Sequence, residues 1–142
     1  MSITLESAAT IVDAALAKGR AAGMNPLTVA VVDDGGNLKA FKREDGRGAA
    51  MRPQIALGKA FASVGMGRSS RALETLAQQR PYFANSLMSI AHGGFVPVPG
   101  GVLILDADGA VLGAVGVTGD TSDNDEIAAV AGIEAAGLTA QV

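Results

Sequence analysis

Two strand–turn–strand patterns, set apart by helical sequence, restrict the folds open to this chain more than any other feature. In the first, residues 27–32 form a short β-rich run, Asp33-Asp34-Gly35-Gly36-Asn37 supplies turn residues, and residues 38–43 alternate apolar and polar. In the second, Val102-Leu103-Ile104-Leu105 leads through Asp106-Ala107-Asp108-Gly109 into residues 111–117. Doubly wound sheets need single strands alternating with crossover helices, so two hairpins argue against them and predict an α+β fold: an antiparallel sheet covered by helices. The run at 111–117 is apolar and broken only by glycines, the pattern of a central strand with both faces covered. The first hairpin is expected to be buried on at least one face.

The sequence between and around the hairpins reads as helix. Leu5, Ala8, Ala9, Val12, Ala15 and Leu16 recur at helical spacing, with Thr4 as an N-cap and Gly23 as a stop. Pro53 suits a helical first turn, which predicts a helix over 52–66 that Gly65, Gly67 and Ser69-Ser70 break. Residues 70–79 predict a short helix, and Pro81 begins another that ends before His92. Val96-Pro97-Val98-Pro99 is a proline-interrupted approach to the following strand, suited to a pocket rim or an interface. Ser122 with Asp123, Asp125 and Glu126 predicts the capped, acidic start of a closing helix that Gly137 ends.

The 142 residues fit one domain, 1–142, because single cores occupy about 100 to 200 residues. Hydrophobic residues make up 49% but aromatics only 4%, so the core must be built from Ala, Val, Leu and Ile. A charged fraction of 18% is low for a surface that stays in water alone, which predicts a homo-oligomer. The absence of cysteine excludes disulfides, thiol nucleophiles, iron–sulfur clusters and cysteine-held zinc. With one histidine, a multi-histidine metal site would need several subunits, so none is expected in this chain. No apolar stretch reaches 18 residues and the first residues do not read as a signal peptide, so a cytoplasmic protein with no membrane partner is expected. A pI near 5.0 and few stacking aromatics argue against a nucleic-acid partner. All 11 lysines and arginines lie in the first 80 residues against seven acids, and seven further acids follow with no lysine or arginine. The halves either pair with each other or leave the basic half to help bind an anionic ligand.

The segment Gly94-Phe95-Val96-Pro97-Val98-Pro99-Gly100-Gly101-Val102-Leu103-Ile104, then Asp106-Ala107-Asp108-Gly109, Val111-Leu112-Gly113-Ala114-Val115-Gly116-Val117-Thr118-Gly119 and Asp123-Asn124-Asp125-Glu126, resembles the C-terminal signature of the bacterial GlcG/HbpS family. Val29-Ala30-Val31-Val32-Asp33, Arg43-Glu44-Asp45-Gly46 and Ala56-Leu57-Gly58-Lys59-Ala60 resemble its N-terminal half. The resemblance covers nearly the whole chain and extends to the C-terminal part of PduO-type proteins. It implies a five-stranded antiparallel sheet with helices on both faces, assembly into dimers or rings, and a link to haem.

Three functions follow as expectations. The first is haem binding or handling, for which His92 is the conventional nitrogen ligand and Met51, Met66, Met88 and Tyr82 are alternatives. The second is acid–base catalysis on a small anionic acid, unsaturated or imine-bearing, with Lys59, Asp123 and Asp125 at the reacting centre and Arg43 or Arg52 gripping a carboxylate. In that reading Lys59 and Arg43 meet Asp123 or Asp125, and Gly100, Gly101, Thr118 and Gly119 line the pocket. Gly93, Gly94 and Gly116 are further glycines whose backbone could approach an anion. The same charges equally form a structural ion-pair network, and the same glycines ordinary turns and close contacts. The third function is that of a non-catalytic accessory or assembly subunit.

Overall fold

A computed structural model describes residues 1–92 and 94–142; Gly93 lies outside the described residues. Among them the elements run α1 (Leu5–Ala21), β1 (Thr28–Asp33), β2 (Leu38–Arg43), α2 (Arg52–Met66), α3 (Ser70–Gln79), α4 (Pro81–Ile90), β3 (Gly101–Leu105), β4 (Val111–Thr118), α5 (Ser122–Ala135) and β5 (Thr139–Gln141). The strands form one antiparallel sheet in the order β2-β1-β4-β3-β5. The two hairpins thus join along β1 and β4, and β4 is central, as its apolar run predicts.

Alternation along the strands sorts the side chains into two cores. Val29, Val31, Val102, Ile104, Val115 and Val117 face α1 and α5, where Ile11, Ala15, Ala129 and Ile133 meet them. Val32, Leu103 and Ala114 face α2, against Ala60 and Leu57. Outside α2, Ala62, Leu73 and Phe95 make a third, smaller cluster that seats α3 and α4. With so few aromatics, the layers approach closely. A Cβ on Gly116 of β4 would lie 2.0 Å from the Ala56 carbonyl oxygen and 2.8 Å from the Ala60 nitrogen.

Helix starts follow local chemistry. The hydroxyls of Thr4, Ser69 and Thr121 accept from the backbone N–H groups of Ser7, Ala72 and Asn124, each cap worth about 1 kcal/mol. The closing helix is therefore capped by Thr121, one residue before the expected Ser122. The first hairpin is buried only along β1; β2 is the sheet's edge and is largely exposed. The short strand β5 has no apolar alternation to announce it and pairs at the opposite edge.

Gly116→Ala should cost about 1–3 kcal/mol in denaturant unfolding, because the added methyl displaces α2 from the sheet. Gly65→Ala, whose Cβ meets nothing within 4 Å, should leave stability unchanged or raise it by up to about 1 kcal/mol.

Candidate functional site

Ala56, Lys59, Ala60 and Ser63 share the face of α2 turned to the sheet, so helical spacing carries a lysine into the interior. Its side chain runs to the carboxyl end of β4, where Nζ donates to the Val117 carbonyl at 2.9 Å and to Asp125 Oδ2 at 3.0 Å. Asp125 belongs to the first turn of α5, on the other side of the sheet, and its Oδ1 accepts from the Asp120 N–H at 2.9 Å. Both side chains are 2% exposed. Burial pulls the Lys59 ammonium below its ordinary value and pushes the Asp125 carboxyl above its own; each shift is opposed by the partner's charge.

The glycines beside this pair make room for it. A Cβ on Gly100 would sit 2.4 Å from the Val117 carbonyl oxygen and 2.8 Å from Lys59 Nζ. A Cβ on Gly101 would sit 2.5 Å from both the Lys59 carbonyl oxygen and Ser63 Oγ. Gly100 C=O accepts from Val117 N–H at 2.9 Å, and Gly101 N–H donates to Ser70 Oγ at 2.6 Å. Gly119 packs against the Pro26 carbonyl, and Thr118 is buried beside it. The sequence reading of these residues as a ligand lining thus meets a fold that uses the glycines for close packing.

Of the two acids expected to meet Lys59, Asp125 does so. Asp123 turns outward to Arg71 of α3, whose Nε also holds Glu126 at 3.0 Å, and these partners raise the guanidinium's pKa. Arg43 meets neither Asp123 nor Asp125, because β1 separates its strand from β4. Arg52 stands at the first residue of α2; neither arginine makes an ion pair among the described residues. No group of three or more acids or histidines among the described residues could hold a metal ion.

A second feature lies on the outside of α2. Phe61, Ala62, Gly65 and Met66 of that helix, Leu87 and Ile90 of α4, and Ala91 and Phe95 beyond it line an open, mostly apolar cleft of about 270 Å³. His92 directly follows Ala91 and is exposed in a turn. Met66 is in the cleft, whereas Met51 and Tyr82 are exposed and not among its lining residues. No motif in the sequence marks Phe61, Leu87, Ile90 or Phe95 as cleft residues. The available signal was α4 itself, ten residues without a charge.

Lys59→Met should destabilise the protein by about 3–5 kcal/mol, because Asp125 is left buried without its cation. The double variant with Asp125→Asn should recover part of that loss, since the amide keeps an oxygen for Asp120 N–H. Chemical denaturation of the two single variants and the double variant measures both effects.

A family model described as haem degrading protein, HbpS-like, matches residues 3–134. No curated protein matches the chain. Among solved structures, a PduOC complex with haem is similar at 22% identity with a TM-score of 0.85, each chain covered in full. A double mutant of HbpS from Streptomyces reticuli is 32% identical over 94% of this chain and 86% of its own, with a TM-score of 0.80. The ORFY protein of Klebsiella pneumoniae is 24% identical over 95% and 90%, with a TM-score of 0.83. The five-stranded sheet with helices on both faces, and a family match spanning nearly the whole length, lead to one assignment: the chain belongs to the HbpS-like family.

Proposed function

We propose that this chain binds haem in the cleft between α2 and α4, with His92 as the axial ligand. The observation that carries the reading is the apolar cleft with the chain's one histidine immediately beyond its lining residue Ala91. Haem requires apolar walls, a ligand atom and cations for its propionates. Phe61, Leu87, Ile90 and Phe95 supply the walls, His92 or Met66 the ligand, and the exposed Arg68 just past α2 a base. Ligand pockets commonly enclose about 300–1,000 Å³, so a cleft of about 270 Å³ grips an edge of the macrocycle and leaves the rest outside. A second subunit seated over the exposed Tyr82, Met88 and Ile90 of α4 would cover it, in keeping with a homo-oligomer. The PduOC complex with haem supports the ligand class. No helix among the described residues is long and apolar enough to cross a membrane; a cytoplasmic site of action is part of the proposal.

The alternative, acid–base catalysis on a small anionic acid, is favoured by one observation, the 3.0 Å contact of Lys59 with Asp125. Their burial weighs the other way, since both side chains are closed off from solvent and neither lines the α2–α4 cleft. The haem reading is therefore preferred. Titrating haemin into the protein should give a saturable shift of the Soret band, and His92→Ala should alter the shifted band. An unshifted band overturns the haem reading, and an unaltered band in His92→Ala overturns the ligand assignment.

A further inference from the structure

Thr28 carries a hydroxyl that the fold leaves without a partner. The residue is 0% exposed and its Oγ1 makes no hydrogen bond. Such a group costs about 1–3 kcal/mol, and valine, the residue at three of the next four positions of β1, would fill the same space without that cost.

Its surroundings are set by register. Val29 and Val31 face α1 and α5, so Thr28 shares the α2 face with Ala30 and Val32. Its cross-strand partners are Arg43 of β2 and Thr118 of β4, which places all three on one row of that face. Helix α2 starts over this row and runs away from it. Ala56 lies against Gly116, one pleat from Thr118, whereas Phe61 and Val64 reach Gly36 beyond the far end of β1. The first turn of α2 is therefore directed toward the row. It has no side-chain cap and no acid to offset its dipole. Arg43 and Arg52 stand at the two ends of the connection 44–51 that spans the gap.

We infer that this row is a binding site for a small oxyanion, a carboxylate or a phosphate. The Thr28 and Thr118 hydroxyls donate to it, the amino terminus of α2 faces it, and Arg52 and Arg43 supply compensating charge. Because Thr28 is closed off from solvent, the structure has to open locally to admit the anion. The proposal is independent of haem, since none of these residues lines the α2–α4 cleft.

The test is NMR titration of the full chain with inorganic phosphate and, separately, acetate, at constant ionic strength, following the Thr28 and Thr118 methyl groups. Saturable shifts are expected with at least one of the two, and the arm that saturates identifies the anion class. Thr28→Val and Arg52→Gln should each weaken that binding about tenfold or more while keeping the fold and any haemin binding. Shifts that stay linear in both arms, or binding unchanged in Thr28→Val, would overturn the site. In that case a rise in stability of Thr28→Val assigns the hydroxyl to an unsatisfied core position.

Discussion

An ammonium group taken out of water destabilises a fold by several kcal/mol unless acceptors are brought to it, and Lys59 is placed where few acceptors exist. The Val117 carbonyl and the Asp125 carboxylate meet that demand from the central strand and from the opposite helical layer. Asp125 in turn holds the Asp120 N–H, and the Asp120 carboxylate accepts from Asn25 N–H at 2.9 Å. Asn124 and Asn25 together keep that carboxyl below its ordinary value. One buried charge therefore joins α2, β4, α5 and the connection after α1. The glycines at 100, 101 and 116 are consequences of the same constraint, since α2 must lie close enough for a lysine to reach the end of β4.

Fixing the inner face of α2 leaves its outer face and its two ends for other purposes. Toward its carboxyl end the helix presents Phe61, Gly65 and Met66 to the α4 cleft. Its amino end, where Ala56 lies against Gly116, is directed toward the row of Arg43, Thr28 and Thr118. On its inner face Lys59 pairs with Asp125 to hold the layers together, while its outer face forms an apolar cleft with the uncharged α4. Architecture and recognition occupy different faces of the same element.

Much of this was legible before any coordinates. Short β-rich runs bounded by turn residues located both hairpins, and the apolar run of β4, broken only by glycines, marked it as central. Caps such as Thr4 and breaks such as Gly67 placed helix ends, because those signals act within a few residues. The contact of Lys59 with Asp125 was anticipated as one of several pairings; choosing among them required the strand order, which local sequence does not encode. For the same reason the expected meeting of Arg43 with Asp123 or Asp125 fails, since β1 stands between its strand and β4. Strand β5 was read from no residue pattern, because three edge residues bury too little to show periodicity. The cleft went unread because its walls come from two helices and a loop whose juxtaposition depends on the third core around Leu73.

The claim that Lys59 and Asp125 bind the two helical layers into one cooperative unit is tested most directly by native-state hydrogen exchange. The account predicts that buried amides of α2, β4 and the first turns of α5 exchange only through global unfolding, with a common free energy and a common denaturant dependence. Exchange of α2 or α5 through a separate opening of lower free energy, with β4 still protected, would contradict it.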